Sequence, residues 1–307
     1  MSKKVLVATF KPFNKTAVDN ISEICQDAGY ELVLLESYTD PKALIEAVSD
    51  VDALIVRSDE VTPEVFAAAK NLKIVVRAGA GYDNVHLQAA TDHGVVVMNT
   101  PGQNANAVAE LVFGLMLNLA RRHYTGQSGT ELKEKKLGLQ AYGNVGRAVN
   151  RIARGFDMDV YAYDPFISRE SIEADGVHAV DSVETLYETC DYISLHLPKM
   201  KETIGLVNYG LMSKMKKGAA IINTAREEIV DEPSLLKIFA EREDFLYAAD
   251  VAPKCKDEIT EKYGVRSFFT AKKMGAQTAE ANINAGIAAI KQIINFLENG
   301  DTTFQVN

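Results

Sequence analysis

A glycine turn between a predicted strand and a predicted helix is the stretch of this sequence with the clearest chemical signature. An apolar strand at 136–140 enters the turn, which carries Gly143 and Gly146 in the pattern Ala-x-Gly-x-x-Gly. Asp164 stands eighteen residues beyond Gly146, at the end of the next apolar run. Strand, glycine turn, helix, strand and acidic residue, in this order, are typical of a dinucleotide-binding unit.

Each position of the turn has a physical role in holding a dinucleotide. Gly143 lets the backbone approach a pyrophosphate, and Gly146 lets the helix pack closely on the strand. The helix begins near Asn144 and Val145, where free N–H groups and the positive end of the helix dipole favour phosphates. Asp164 can accept hydrogen bonds from a ribose diol and would repel a 2′-phosphate, so we expect NAD rather than NADP. The alternative is an ordinary strand–helix turn that binds no ligand.

The first glycine of the fingerprint is replaced by Ala141. A positive φ costs a residue with a side chain about 1–2 kcal/mol. We therefore expect an ordinary negative φ at Ala141, where the replacement would cost little.

Two further candidates for chemistry follow buried strands. Arg226 comes after the strand at 219–223, and its guanidinium could bind a carboxylate with two hydrogen bonds and polarise a carbonyl. Asp250 comes after the strand at 245–249 and could face the nicotinamide. With a dinucleotide, these groups predict hydride transfer to or from a hydroxy acid. His196, also at a strand end, is expected to be structural or to line the cofactor rather than to act as a base.

The elements that would position these groups are alternating strands and helices. Such alternation predicts an α/β fold with two doubly wound parallel-sheet domains, the second a Rossmann dinucleotide-binding domain. We expect residues 1–98 and 279–307 to form a substrate-binding domain, and residues 99–278 to form the NAD-binding domain. Ligands of such sheets bind beyond the carboxyl ends of the strands, where Arg57, Ser58 and a glycine-rich loop at 77–81 also lie.

Composition excludes several classes of function. The chain has 307 residues and a formal net charge of −9, which argues against nucleic-acid binding and requires a locally basic pocket for an anionic substrate. It has neither an apolar run long enough to span a membrane nor the pattern of a signal peptide. Its 3 cysteines are widely spaced, which predicts neither disulfides nor a metal site, so we expect a cytoplasmic protein.

Several motifs in the right order resemble the D-2-hydroxyacid dehydrogenase family. They are Arg77-Ala78-Gly79-x-Gly81-x-Asp83-Asn84-Val85, Met98-Asn99-Thr100-Pro101, Asn223-Thr224-Ala225-Arg226 and Ile229-Val230-Asp231-Glu232. The similarity is greatest to the branch that oxidises 3-phosphoglycerate to 3-phosphohydroxypyruvate with NAD, the first step of serine synthesis. It implies a homodimer formed through the NAD-binding domain and, since the chain ends after one closing helix, no regulatory domain.

The same resemblance assigns roles to individual residues. Arg226 matches the catalytic arginine. Arg57 and Ser58 lie on the substrate side, with Arg57 as the phosphate partner, and Gly79 and Ala80 hold the substrate carboxylate. The cofactor-binding positions that it implies are Gly143, Asn144, Val145, Gly146, Asp164, Leu197, Thr224, Ala225, Asp250 and Gly275.

The acid/base position departs from the family pattern. The family usually has a histidine in Pro-His-x-Gly and a glutamate five residues after the position of Asp250, which here is Cys255. Counting back from Gly275 aligns Lys273 with the histidine, whereas counting from the proline position aligns Lys272. A lysine in this role resembles a short subgroup of the family. It could act as acid/base if burial or a neighbouring cation lowers its pKa; the alternative is a lysine that only holds the substrate by charge.

Other functions stay compatible with these residues. A glyoxylate or hydroxypyruvate reductase would use the same fold and cofactor, although Arg57 and Ser58 favour a phosphorylated substrate. A non-catalytic NAD-sensing protein is the alternative from another class, because the histidine–glutamate pair is missing. The retained Arg226 and the lysine pair argue against it.

Overall fold

The computed structural model describes residues 2–307 and divides them into two compact units. The terminal unit comprises the chain up to Asn104 together with Thr278–Asn307, and the central unit comprises Ala105–Gln277. The predicted boundaries lie after residues 98 and 278. Residues 99–104 stay with the terminal unit, where the N–H of Thr100 donates to the carbonyl of Gly79 at 2.9 Å.

Strands and helices alternate along most of the chain. The strands are β1 (Lys4–Thr9), β2 (Glu31–Glu36), β3 (Ala53–Val56), β4 (Ile74–Arg77), β5 (Val96–Asn99), β6 (Lys136–Gln140), β7 (Asp159–Tyr163), β8 (His178–Ala179), β9 (Tyr192–Leu195), β10 (Ala220–Asn223), β11 (Leu246–Ala249) and β12 (Ser267–Phe269). The α-helices are α1 (Lys15–Asp27), α2 (Lys42–Ala47), α3 (Pro63–Ala68), α4 (Leu87–Asp92), α5 (Ala105–Ala120), α6 (Asn144–Gly155), α7 (Arg169–Ala174), α8 (Val183–Thr189), α9 (Tyr209–Met212), α10 (Glu232–Glu241), α11 (Lys256–Tyr263) and α12 (Ala279–Asn299).

The sheet of the terminal unit is parallel, with the order β2-β1-β3-β4-β5. Both faces of its central strands are covered, because Val5 and Val7 belong to one apolar cluster and Leu6 and Ala8 to another. The closing helix α12 packs against α1. Gly286 permits this close approach, since a Cβ there would lie 2.9 Å from Cδ1 of Ile21.

The sheet of the central unit is also parallel, with the order β12-β11-β10-β9-β6-β7-β8. The strand order reverses at β6, so the carboxyl ends of β6 and β9 form the crevice in which such sheets bind ligands. The apolar helix α5 packs on β10, β11 and α6. Each unit is thus an α/β unit with a parallel sheet, and the second is of Rossmann type, which confirms the predicted fold class. Within residues 2–307, no helix combines the length and the apolarity needed to cross a membrane.

Candidate active site

The glycine turn joins β6 to α6. Gly143 is the N-cap of α6, and a Cβ there would meet no atom within 4 Å, so the space in front of the helix is open. A Cβ on Gly146 would lie 2.8 Å from the carbonyl oxygen of Ala141, a contact that only glycine avoids. The first N–H groups of α6, including those of Asn144 and Val145, have no carbonyl partner within the helix and are available to bind an anion. The turn therefore has the shape that a pyrophosphate requires.

Ala141 has a φ of 77°, so the prediction of a negative φ at this residue is wrong. The N–H of Ala141 donates to the carbonyl of Tyr163 at 2.9 Å and so extends the pairing of β6 with β7. The chain must then turn sharply to bring the carbonyl of Ala141 against Gly146. The pairing with β7 and the sharp turn together require a left-handed backbone conformation, which the glycine usually found at this position of the fingerprint adopts without strain.

Replacing Ala141 by glycine is expected to raise the free energy of unfolding by about 0.5–1 kcal/mol. Glycine removes the backbone strain that a side chain suffers in the left-handed conformation. This gain in free energy exceeds the cost that arises because glycine increases the conformational entropy of the unfolded chain. Chemical denaturation of the two proteins measures the difference. Ala148→Gly, inside α6, is the matched control and should lower stability by about 1 kcal/mol. A destabilised Ala141→Gly protein would contradict the prediction.

The carboxylate of Asp164 connects the glycine turn to the end of β7. Its Oδ2 accepts the N–H of Tyr142 at 2.8 Å, and its Oδ1 accepts the N–H of Phe166 at 2.8 Å. These bonds fix the carboxylate at the position where the fingerprint requires an acidic residue. Each oxygen has a second lone pair, so the group can still accept hydrogen bonds from a ribose diol.

Unpartnered polar atoms lie at the carboxyl edge of the central sheet. The hydroxyl of Thr224, the amide nitrogen of Gln140 and Nε2 of His196 are buried and have no hydrogen-bond partner in the part of the chain that the structure describes. Buried polar atoms in native proteins are normally paired, so these positions suit a bound polar ligand. They fit a dinucleotide along with Leu197 and Ala225, which follow β9 and β10.

Arg226 lies at the end of a loop that Asn223 holds. The side chain of Asn223 accepts the N–H of Ala225 and donates to the carbonyl of Arg226, both at 3.0 Å. The half-buried guanidinium of Arg226 donates to the carbonyl of Ala225 at 2.9 Å. Lys199 holds the pKa of nearby Glu228 below its usual range, and the charge of Arg226 adds to this effect. Arg226 thus follows β10, as the sequence predicted, and it lies on a loop that these hydrogen bonds fix.

The segment that carries the two lysines is attached to Asp250. This carboxylate is 1% exposed, and it accepts the N–H of Met274 at 2.6 Å and the N–H of Gly275 at 2.8 Å. The hydroxyl of Thr270 donates to it at 3.0 Å. A Cβ on Gly275 would lie 3.0 Å from Oδ2 of Asp250, which explains the glycine. Asp250 therefore organises residues 270–275, a role that its position after a strand did not reveal.

Lys272 and Lys273 are both exposed on this segment. Of the two conditions predicted for an acid/base lysine, burial or a neighbouring cation, burial is met by neither side chain.

Burial shifts the pKa values of His196 and Cys255. It lowers the pKa of His196 to about 3, so this imidazole binds a proton too weakly to act as the acid/base group at physiological pH. Burial, with a smaller contribution from Glu232, raises the pKa of the Cys255 thiol to about 12. The N–H groups of Lys254 and Cys255 donate to the carboxylate of Glu232 at 2.9 and 3.1 Å. Cys255 is therefore a protonated thiol in an anchored loop and cannot replace the family's glutamate as a charged partner.

The predicted substrate residues of the terminal unit lie on two adjoining loops. Arg57 and Ser58 follow β3, and Gly79 and Ala80 follow β4. Arg77 links the loops, because its Nε donates to the carbonyl of Arg57 at 2.9 Å. The guanidinium of Arg77 also occupies the space beside Gly79, where a Cβ would lie 1.4 Å from Nη1. The structure thus brings these four residues to one edge of the terminal sheet, and glycine suits position 79 because its φ of 150° is one that residues with a side chain rarely adopt.

Comparison with known proteins identifies the family. Residues 113–263 match the D-isomer specific 2-hydroxyacid dehydrogenase family in its NAD binding domain. D-3-phosphoglycerate dehydrogenase of Archaeoglobus fulgidus is 37% identical over 95% of this chain and 57% of the relative. Hydroxypyruvate reductase of Thermotoga maritima is 35% identical over 87% of this chain and 92% of the relative.

The solved structures agree with the sequence comparison. The NAD+-bound 3-phosphoglycerate dehydrogenase of Entamoeba histolytica is 46% identical, with a TM-score of 0.91 over 100% of this chain and 99% of that one. The chain spans little more than half the length of several curated relatives. For the Archaeoglobus fulgidus protein, the matched part is 57% of its length. The predicted family resemblance is confirmed: the chain belongs to the D-isomer specific 2-hydroxyacid dehydrogenase family, whose NAD binding domain matches residues 113–263 of the central unit.

Proposed function

We propose that the protein is an NAD-dependent dehydrogenase that oxidises 3-phosphoglycerate to 3-phosphohydroxypyruvate, the first step of serine synthesis. The observation that carries this proposal is a half-buried arginine at a strand end of each unit, Arg226 in the central unit and Arg57 in the terminal unit, in a chain whose formal net charge is −9. A guanidinium binds carboxylates and phosphates through parallel hydrogen bonds, and these are the two anionic groups of the substrate. The similarity to two proteins named as 3-phosphoglycerate dehydrogenases, from Archaeoglobus fulgidus and Entamoeba histolytica, supports the same proposal.

The residues of the central unit fit NAD. We assign the pyrophosphate to Gly143 and the first turn of α6, the adenosine ribose to Asp164, and the nicotinamide end to the other predicted cofactor positions. Those positions are Leu197, Thr224, Ala225, Asp250 and Gly275. When bound, NAD accepts or supplies the hydride.

The chain's own groups bind the substrate and move its proton. Arg226 binds the carboxylate and polarises the oxygen on C2, which stabilises the charge that develops there. Arg57 and Ser58 bind the phosphate, while the N–H groups around Gly79 and Ala80 hold the carboxylate. A lysine amine, Lys273 or Lys272, accepts the C2 hydroxyl proton during oxidation and returns it during reduction.

Purified protein mixed with NADH and 3-phosphohydroxypyruvate tests the function directly. We expect the nicotinamide absorbance to fall, and to fall more slowly with hydroxypyruvate or glyoxylate. Faster turnover of the unphosphorylated acids would favour the reductase alternative, which the Thermotoga maritima relative supports. Intact NADH binding without any turnover would favour an NAD-sensing protein and contradict the proposal.

Replacing Asp164 by asparagine is expected to lower the preference for NAD over NADP by about tenfold or more. The change removes the charge that repels a 2′-phosphate but keeps an oxygen for the N–H of Tyr142. The measurement is kcat/KM for NADH and for NADPH. Asp159→Asn removes the same charge at the other end of β7 and should leave the ratio unchanged. A preference for NADPH in the unmodified protein would contradict the assignment.

We also propose a cytoplasmic homodimer formed through the central unit. The thiols of Cys25, Cys190 and Cys255 are free, which suits a reducing compartment. Light scattering of the purified protein measures its mass in solution, and a monomeric mass would contradict the dimer.

A further inference from the structure

The half-buried guanidinium of Arg57 is held by a neutral partner. Its Nη2 donates to Oδ1 of Asn282 on α12, and its Cζ lies 5.0 Å from the ring centroid of Phe13. Burial lowers the pKa of Arg57, and only the negative charge of Asp59 opposes this effect. The cation is therefore desolvated, and no carboxylate of residues 2–307 is bonded to it.

The nearby carboxylate of Asp59 is directed elsewhere. It is 3% exposed, and its Oδ1 accepts the N–H of Phe10 at 2.7 Å and the hydroxyl of Tyr38 at 2.6 Å. Its Oδ2 lies 3.4 Å from the backbone nitrogen of Arg57. Asp59 thus shapes the loop after β3 through backbone and tyrosine donors rather than by pairing with the guanidinium.

The amide of Asn282 has a defined orientation. Its Nδ2 donates to the carbonyl of Thr278 at 2.7 Å, one turn earlier, so its oxygen is the atom directed at Arg57. Thr278 is itself fixed as the N-cap of α12, with its hydroxyl accepting the N–H of Ala281 at 3.1 Å. The backbone end of Arg57 is fixed as well, since Arg77 and Asn84 donate to its carbonyl at 2.9 and 3.4 Å.

We infer that Asn282 is a positioning residue that selects phosphorylated substrates by holding Arg57 in place without neutralising its charge. An amide oxygen orients a guanidinium by a hydrogen bond but adds no negative charge. A guanidinium has five N–H donors, and those not used by Asn282 can bind a phosphate through two parallel bonds. The inference rests on the proposed function, because it takes Arg57 as the phosphate-binding residue.

Asn282→Asp tests the inference, since it keeps the size and the acceptor but adds a negative charge against Arg57. We expect the ratio of kcat/KM for 3-phosphohydroxypyruvate to that for hydroxypyruvate to fall by about 10- to 100-fold, mainly through KM for the phosphorylated substrate. Hydroxypyruvate has no phosphate, so its turnover should change little and reports that the variant is folded. Asn282→Ala, which loses the anchor without adding charge, should lower the ratio by less.

Asn284→Asp is the matched control, because it places the same charge two residues along α12 on an exposed side chain. It should leave the ratio unchanged. An unchanged ratio in both Asn282 variants, or an equal fall in Asn282→Asp and Asn284→Asp, would overturn the inference. An unmodified protein that does not prefer the phosphorylated substrate would instead overturn the proposed function, and the inference with it.

Discussion

Arg226→Gln is expected to lower kcat/KM for 3-phosphohydroxypyruvate by about 10³-fold or more. Glutamine keeps a hydrogen-bond donor but removes the cation that, in the proposed function, binds the carboxylate and stabilises the charge developing on the C2 oxygen. Removal of one such donor from an active site costs roughly 10²–10³ in rate, and loss of the charge adds to this. Steady-state kinetics with NADH measure the loss, which should appear in both kcat and KM.

Arg226→Lys separates charge from geometry. It retains the positive charge but cannot form two parallel bonds, so its activity should lie between those of Arg226→Gln and the unmodified protein. NADH affinity, measured by fluorescence, should be similar in all three proteins. An Arg226→Gln protein within tenfold of full activity would contradict the assigned role.

Lys273→Ala or Lys272→Ala is expected to lower kcat by about 10²–10⁴-fold, the usual contribution of a general acid or base. The other variant should retain most of the activity, because only one of the two adjacent side chains can occupy the acid/base position. The measurement is kcat as a function of pH for each variant. If both alanine variants keep full turnover, the lysine mechanism is wrong.

Replacement of the sensitive lysine by arginine distinguishes proton transfer from charge alone. Arginine keeps the positive charge but does not lose its proton in proteins. An acid/base lysine therefore predicts an arginine variant almost as inactive as the alanine variant. A lysine that only holds the substrate by charge predicts substantial activity in the arginine variant.

The fold was predictable because its signals are local. Apolar strands alternating with helices dictate parallel sheets, and the turn at Gly143 and Gly146 carries its own backbone requirement. The two-residue strand β8 and the four-residue helix α9 were not predicted, because such short segments show no periodicity and depend on tertiary contacts. Ala141 was mispredicted since its left-handed conformation follows from the contact with Gly146 and the pairing with Tyr163, neither of which its own identity reveals.

The supporting residues of the site were less accessible to sequence reasoning. Asn282 contacts Arg57 across 225 positions of sequence, and no motif connects the two residues. The hydrogen bonds from Met274 and Gly275 to Asp250 likewise depend on a loop closing over the sheet. Sequence reasoning found Arg57 and Asp250 at strand ends, whereas their partners required the three-dimensional arrangement.

The attachment of residues 270–275 to Asp250 has a consequence for how this site could change during evolution. Asp250 contacts the backbone of Met274 and Gly275 and the hydroxyl of Thr270, so the loop conformation does not depend on which side chains stand at positions 272 and 273. A histidine or a lysine could therefore stand at either position on the same loop. The acid/base group of the proposed function could then change while Asp250 continues to support the segment that carries it.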